Sequence, residues 1–421
     1  MTDHQSTTGR RRLSQAELDI VMTGHERFLA GKSDGKRASL RFADLAQLDL
    51  SRRDLSDGDF VGSSFDGCKM IGVRLCRAAL FGCSFRRADL RHAVMTRADI
   101  RGACLRGANL SGADLTQADF REGQIAIPHP RKGLDVLRHE TRNGEADKAN
   151  FTGATLNGSN FQGVSAFSAD FTDCAMKGAK MSGANLKSAN FTGAMLNGVE
   201  FAGANMQGAN FSGAVLSGMD VSQMRGMGAD MSTCLGESTV NGPMVEGMLR
   251  RAFENKQWCE TGGREGRPAC FDGEDLRPLG AALRGLLLTA MSAKGACMVG
   301  LDLTGAQLQG ANLEGADLRG AVLTAADLRG ARLIGANLTK VDLHKANLSA
   351  LPLGPDRVAA SKMNRARLRY ASVIGADLSR AVLDHADLGG ADLSGSMLKG
   401  VSLRGAELTG VIGMEFNRQA A

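Results

Sequence analysis

The segment GANLSGADLTQADF, residues 107–120, repeats a five-residue pattern that recurs along most of the chain. From Leu40 to Phe120 every fifth residue is large and apolar, at seventeen positions without exception. Two residues before most of them lies a small residue, usually Ala, often with Asp or Asn between the two and often with Gly two residues after the large one. This period matches neither a strand, which repeats every ~2 residues, nor a helix, which repeats every ~3.6.

The spacing within one unit predicts a short extended step followed by a turn. The small and the large residue are two positions apart and share one face of the step, and the polar pair that follows can turn the chain. Repeated steps and turns wind the backbone around an axis, with the apolar residues inside and the other three facing solvent. Successive coils are expected to pair at about 4.8 Å, and Gly suits corners with positive φ. The sequence therefore predicts an all-β solenoid.

The motif A(D/N)LxG resembles the repeat of the pentapeptide-repeat family, and the resemblance covers most of the chain. It implies a right-handed quadrilateral (four-sided) β-helix solenoid with four units per coil. The handedness and the number of sides come from the resemblance, whereas the inward and outward assignment comes from the period.

Changes of phase divide the chain into blocks. Short α-helical caps precede the first and third blocks, and prolines at 352 and 355 predict a bulged corner in the third. The predicted segments are a disordered basic tail at 1–12, an N-terminal capping helix at 13–31, repeat block 1 at 38–121, a protruding loop at 122–149, repeat block 2 at 150–235, a second capping helix or insertion at 243–262, repeat block 3 at 269–410 and a C-terminal tail at 411–421.

Block 2 adds a pattern of phenylalanines with a period of ten residues. In a four-sided coil ten residues separate opposite walls, so residues twenty apart are expected to stack on one wall. One predicted stack contains Phe151, Phe171, Phe191 and Phe211, and Phe161 and Phe201 lie on the opposite wall.

The segment between blocks 2 and 3 repeats the arrangement at the start of the chain. Ser14 and Glu17 predict a capping box for the first helix, which would cover the open end of the first coil. Residues 262–276 parallel residues 31–45 in their Gly, Ala and large apolar positions, and a helix opened by Pro243 precedes them. We infer an internal duplication into two capped modules, 13–235 and 243–421, placed side by side or end to end.

Residues 276–291 are compatible with two structures. Their leucines fit the repeat and also fit helical spacing, so this segment is either strand or the second helix of an inserted hairpin. The repeat favours strand.

Composition predicts a protein without catalytic or cofactor chemistry. The net charge is +6, and the nine cysteines are irregularly spaced without a CxxC pair, which supports neither disulfides nor a zinc site. No nucleophile motif or phosphate-binding loop is present, so we expect no enzyme activity and no cofactor. No apolar run reaches the ~18 residues of a membrane span, and no secretory signal is evident at the start, so we expect a cytoplasmic protein.

Two sets of residues are candidates for partner binding. The loop at 122–149 is either a binding excursion or a solvated linker that absorbs the change of phase. Its candidate residues are His129, Arg131, Lys132, Arg138, His139 and Arg142. The second set lies in block 1, where arginines twenty residues apart would stack in columns, or would simply form a solubilising face. These residues are Arg77 with Arg97, and Arg86 with Arg106.

The favoured function is a non-enzymatic protein-interaction scaffold or adaptor whose partner is unknown. Nucleic acid is a possible but less favoured partner, because no outward aromatic residue except Phe81 is available to stack bases. The resemblance implies an alternative, a topoisomerase (DNA gyrase)-binding protein of the quinolone-resistance type. Such proteins mimic DNA and need a negative rod, which the net charge of +6 disfavours. A homodimer through the last coil is also possible, unless Met414 and Phe416 cover it.

Overall fold

The structure is a computed structural model that describes residues 10–129, 133–218, 228–355 and 357–414, with residues 126–129 and 133–138 described by their backbone alone. The chain divides into two compact units, Met1–Glu237 and Ser238–Ala421. Each unit contains its own buried apolar core. Among the helices of the described residues, none combines the length and the apolar character needed to cross a bilayer.

Both units are β-solenoids built from isolated parallel bridges rather than long strands. Asp59 pairs with Ala79, and Ala79 pairs with Asp99, so bridged residues lie twenty positions apart. Phe60 N donates to Ala79 O at 2.9 Å, and Asp59 N donates to Ala38 O at 3.0 Å, so each coil bonds to the coil on either side. Four five-residue units therefore separate each residue from its partner in the next coil.

The large and small apolar residues face inward, as the period predicts. Leu90 and Ala93 in the first unit, and Leu313 in the second, are fully buried. The predicted phenylalanine stack is confirmed, because Phe151 and Phe171 lie parallel with ring centroids 4.9 Å apart and an interplanar angle of 3°. The remaining stacked pairs are Phe171 with Phe191 at 4.9 Å and Phe191 with Phe211 at 4.8 Å. Phe161 meets Phe171 edge-on at 6.1 Å, as expected for rings on different walls.

The corners explain why Asp or Asn so often precedes the large apolar residue. Asn109 Oδ1 accepts a hydrogen bond from Ser111 N at 3.1 Å, and Asp114 Oδ1 accepts one from Thr116 N at 3.0 Å. This is an Asx turn, in which the side chain satisfies a backbone donor that the bend leaves free. The next residue has positive φ and is usually Gly, for example Gly112 with φ of 67°.

A short strand and a helix cover the first coil of the first unit. Helix α1, Gln15–Leu29, begins with the capping box of Ser14 and Glu17. Strand β1, Arg11–Arg12, pairs in parallel with β2, Ala43–Asp44. The predicted disordered tail at 1–12 is therefore wrong for its last two residues, because their backbone pairs with the free edge of the first coil. Residues 1–9 lie outside the described residues.

The second unit begins with helix α2, Gly242–Glu260, whose N-cap is Asn241. Each helix supplies one fully buried polar side chain to the first coil of its unit. His25 Nδ1 accepts from Ala38 N at 3.1 Å and its Nε2 donates to Ser56 O at 3.0 Å. Asn255 Oδ1 accepts from Ala269 N at 2.8 Å, and its Nδ2 donates to a backbone carbonyl. The two side chains thus satisfy matching backbone groups.

The segment from 122 to 149 contains a β-hairpin. Strands β3, Gly123–His129, and β4, Gly133–Arg142, pair antiparallel. Cys104 pairs with Glu145 across this insertion, forty-one residues away instead of twenty, and the regular ladder then resumes. The insertion therefore lengthens one corner without changing the register of the coils.

The second unit contains a shorter hairpin of the same kind. Strands β5, Leu351–Gly354, and β6, Arg357–Ala359, pair antiparallel, and Arg332 pairs with Lys362, ten residues later than the regular spacing. The expected bulged corner at Pro352 and Pro355 is therefore a hairpin. A proline is tolerated there because each strand has a free edge.

Residues 276–291 form repeat coil interrupted by one short helical turn. A 3₁₀ helix, Arg277–Leu279, contains Pro278 and ends at Gly280, which has positive φ. Leu287 then pairs with Gln307 in the regular register. The repeat interpretation holds for the later part of the segment, and the described residues there contain no α-helix.

Candidate functional site

Several arginines of the solenoid walls form ion pairs within their own repeat. In the sequence D-(L/I/F)-R, the Arg guanidinium donates two hydrogen bonds to the Asp carboxylate two residues earlier. Arg91 Nε and Nη2 lie 2.8 and 2.7 Å from the oxygens of Asp89. This contact lowers the pKa of Asp89, with the Arg91 hydrogen bond as the largest cause. The same fork occurs at Arg101, Arg121, Arg277, Arg319 and Arg329. These ion pairs stabilise the turns of the coil and do not indicate a binding site.

One corner of the first unit contains a groove of about 740 Å³, which we call the basic groove. Its corner column consists of Gln47, Gly67, Arg87, Gly107 and Lys148. Long side chains alternate with glycines in this column. The Gln47 side chain lies over Gly67, where an added Cβ would be 2.1 Å from its Nε2, whereas Gly107 leaves room beside Arg87. A second column beside it consists of Asp66, Arg86, Arg106, Asp147 and Phe167. The groove therefore contains four cationic and two acidic side chains.

The two carboxylates of the basic groove are partly used by the backbone. Asp66 Oδ1 accepts hydrogen bonds from Arg86 N at 2.9 Å and Ser84 Oγ at 2.5 Å. Asp147 Oδ1 accepts from Phe167 N at 3.0 Å, and its Oδ2 lies 3.6 Å from Arg106 Nη2.

The two corner cations of the groove are less constrained. Arg87 and Lys148 are exposed, and neither has an ion pair among the described residues. Their φ angles of 56° and 54° lie in the left-handed region that favours glycine. Two long cations therefore occupy positions where the backbone alone would prefer Gly.

Cys104 lies beside the groove and has no nucleophilic character. Arg86 Nε donates to Cys104 Sγ at 3.2 Å, and Cys104 Sγ donates to Glu145 Oε2 at 3.3 Å. Burial is the main cause that raises the pKa of Cys104 above its usual value, which keeps the thiol protonated. No cluster of three or more His, Cys, Asp or Glu residues that could hold a metal ion occurs among the described residues.

The base of the β3–β4 hairpin packs against the corners of the preceding coils. Ile125 is buried, and a Cβ added at Gly82 would lie 2.7 Å from Ile125 Cδ1. A Cβ at Gly102 would lie 3.1 Å from the Arg142 carbonyl oxygen. Arg142 Nη1 donates to Gly82 O at 3.0 Å. The hairpin base therefore packs on the coil, because these corners carry no side chain.

The N-terminal strand lies close to this hairpin base. Burial, followed by the nearby charge of Arg142, lowers the pKa of Arg10 below its usual value. Phe81, the outward aromatic noted in the sequence, also belongs to this region. A Cβ at Gly123 would lie 2.2 Å from the Phe81 ring, and Arg101 lies over that ring at 5.4 Å from its centroid.

The structure describes the predicted binding residues of the hairpin to different extents. Arg131 and Lys132 lie outside the described residues, and His129 and Arg138 are described by their backbone alone, in β3 and β4. His139 is exposed. Arg142 anchors the hairpin to the coil and lies 3.6 Å from Glu140.

The four predicted wall arginines lie at two different corners of the coil. Arg86 and Arg106 lie together in the basic groove. Arg77 forms a two-bond contact with Asp57 at 2.8 and 2.6 Å, which raises the pKa of Arg77 and lowers that of Asp57. Arg97 Nε donates to Gln117 Oε1 at 2.8 Å.

The sequence-based prediction missed Arg87 and Lys148. The signal that identifies Arg87 is its spacing of twenty residues from Gly67 and Gly107. Lys148 joins the same column only when the length of the inserted hairpin is known.

Comparison with protein families gives one match over more than half of the chain. A family model described as pentapeptide repeats matches residues 36–72, 74–112, 95–124, 147–183, 184–223, 288–324, 316–350, 361–400 and 376–412. No curated protein sequence matches the chain.

Several solved structures are similar to this chain. HetL, a pentapeptide repeat protein involved in heterocyst differentiation regulation from the cyanobacterium Nostoc sp. strain PCC 7120, is 22% identical, with 92% of this chain and 94% of HetL covered and a TM-score of 0.14. QnrB1, a plasmid-mediated fluoroquinolone resistance protein, is 20% identical, with 49% of this chain and 86% of QnrB1 covered and a TM-score of 0.21. Rfr23 from the cyanobacterium Cyanothece 51142 is 25% identical, with 29% of this chain and 90% of Rfr23 covered and a TM-score of 0.17.

Proposed function

The chain belongs to the pentapeptide-repeat family, and on that premise we propose that it is a non-enzymatic scaffold or adaptor whose solenoid walls hold a protein partner. The ladder of bridges twenty residues apart is the observation that carries this proposal. Such a ladder arranges the outward side chains in columns, and neighbouring side chains within one column are about 4.8 Å apart. A rigid surface of this kind binds a partner without the entropy cost of ordering loops.

The finer architecture is part of the same proposal. We propose a right-handed, four-sided coil, repeated in two modules that arose by duplication. The equivalent roles of His25 and Asn255 support the duplication, because each accepts a hydrogen bond from the matching backbone amide of its first coil. A hairpin inserted at a corner of each unit is a second shared feature.

The candidate contact surfaces are the basic groove and the outer part of the β3–β4 hairpin. Crosslinking and affinity capture with the full chain and with a variant lacking residues 127–138 test the hairpin. This deletion keeps Ile125 and Arg142, so the base remains docked on the coil. We expect the deletion to remove a captured partner. The matched control deletes residues 352–358 from the shorter hairpin, and an unchanged set of captured proteins after both deletions would exclude the hairpin.

Gyrase binding of the quinolone-resistance type is the alternative that the electrostatics argue against. A DNA mimic presents negative charge, whereas the basic groove carries four cations against two carboxylates. We expect the purified protein to leave gyrase supercoiling and its inhibition by ciprofloxacin unchanged at micromolar concentration. Protection of the enzyme in that assay would favour the alternative over the scaffold.

A further inference from the structure

The basic groove points to a specific kind of partner. We propose that it binds a short acidic stretch of a polypeptide in an extended conformation. This inference rests on the scaffold function proposed above and adds the chemistry of the segment that is recognised.

The first argument is the unpaired positive charge inside a concave surface. The groove cations Arg87 and Lys148 are exposed and have no ion pair among the described residues. At another corner, by contrast, Arg77 is neutralised by Asp57. Clustered cations in a groove produce a focused field that attracts an acidic ligand. The groove therefore differs from the corner at Arg77, where the cation is paired with a carboxylate.

The second argument is the shape of the corner column. Gln47 lies over Gly67, where an added Cβ would be 2.1 Å from Gln47 Nε2. Gly107, between Arg87 and Lys148, has no atom closer than 3.8 Å to an added Cβ, so a ligand can contact the backbone there. From Gln47 to Lys148 and the adjoining Phe167, the groove crosses six coils, or about 24 Å at about 4.8 Å per coil. An extended peptide covers that distance in about seven residues at about 3.4 Å each.

The third argument favours a polypeptide over nucleic acid. Asp66 and Asp147 lie among the cations. A polypeptide can place backbone N–H groups opposite these carboxylates, whereas a phosphate backbone carries a negative charge at every nucleotide and would be repelled there. The hydrogen bonds that Asp66 accepts from Ser84 Oγ and Arg86 N both end on its Oδ1, so Oδ2 can accept a hydrogen bond from a peptide N–H. Phe167, the groove's aromatic side chain, is only partly exposed, which limits its use as a platform for stacking bases.

The test measures binding of the full chain to a fluorescein-labelled peptide of eight glutamates by fluorescence anisotropy. The groove variant is R87E/K148E and the control variant is R52E/K345E. All four side chains are exposed and have positive φ, of 56°, 54°, 61° and 56° respectively. The two variants therefore make the same change in net charge and in backbone environment at different corners.

We expect the groove variant to bind the peptide at least tenfold more weakly than the original chain, and the control variant to stay within twofold. Binding should also weaken severalfold between 50 and 300 mM NaCl, because the contacts are exposed ion pairs. Circular dichroism confirms that both variants keep the fold.

Three results would overturn the inference: no binding of the peptide at 50 mM NaCl, equal weakening in both variants, or tighter binding of a labelled twelve-nucleotide oligo-dT than of the peptide. These outcomes are separate from the scaffold function. Affinity capture through the hairpin can succeed while the groove peptide fails, and the reverse result would support the groove alone.

Discussion

The two hairpins leave their coils in the same way but differ in how much of the solenoid they cover. In the first unit the β3–β4 hairpin folds back over Gly62, Gly82 and Gly102, three corners of one column. In the second unit the β5–β6 hairpin meets Gly330, where an added Cβ would lie 2.9 Å from Leu351 Cβ. A column of side-chain-free corners is thus what allows inserted chain to pack on the outside of the coil.

The neighbouring corner of the first unit shows the opposite arrangement. There Arg87 interrupts the glycines at 67 and 107, and the groove stays open. The covered corner carries glycines at 62, 82 and 102, whereas the next corner carries Arg87 between Gly67 and Gly107. The residue at the turn therefore decides whether inserted chain can pack on that corner.

The largest expected effect is the loss of a glycine under the hairpin. In Gly82→Ala the new Cβ would lie 2.7 Å from Ile125 Cδ1, at a φ of 63°. Left-handed strain and crowding together should lower the free energy of unfolding by about 3 kcal/mol. The control is Gly183→Ala, which has similar φ and nothing within 4 Å of the new Cβ, and should cost about 1 kcal/mol. Urea unfolding followed by circular dichroism measures both, and equal losses would show that the hairpin does not press on the corner.

The next effect tests the anchor of the hairpin. In Arg142→Ala the hydrogen bond to Gly82 O is lost, so the hairpin base should be destabilised by about 1 to 2 kcal/mol. Amide hydrogen exchange in β3 and β4 should become faster. His139→Ala, at an exposed position on the same strand, should leave exchange unchanged. Similar exchange in the two variants would argue against the anchor.

The smaller effect concerns the open corner. In Arg87→Gly the φ of 56° becomes favourable, so the free energy of unfolding should rise by about 1 kcal/mol while binding of the glutamate peptide weakens. Thermal unfolding and anisotropy measure the two quantities on the same sample. A variant that is less stable would indicate that the Arg87 side chain has a structural role in the folded wall.

These comparisons also show which parts of the structure could be predicted from the sequence. The inward positions and the Phe151 to Phe211 stack follow from the period alone, because every unit repeats the same local geometry. The docking of Ile125 on Gly62 and Gly82 does not, since it depends on which corners align after each full coil. Lys148 was missed for the same reason, because its place in the column depends on the length of the inserted hairpin.

The last prediction concerns the chemical reactivity of a cysteine in the unaltered protein, and it involves no change in stability. Cys83 follows the covered corner, and burial raises the pKa of its thiol to about 12. The neutral thiol therefore dominates at pH 8, and iodoacetamide should not label Cys83 in the folded protein. Cys270 is exposed and should react under the same conditions. Mass spectrometry distinguishes the two, and labelling of Cys83 at the rate of Cys270 would mean that the corner is open.

The uninterrupted ladder across the β3–β4 insertion has a consequence for engineering. Cys104 meets Glu145 as though the intervening strands were missing, so the interior places no demand on the length of chain spliced in at that bend. Foreign peptides grafted between Gly123 and Arg142 would be displayed at a fixed height along the column. Libraries of such grafts would share one scaffold and differ only in the loop that each presents.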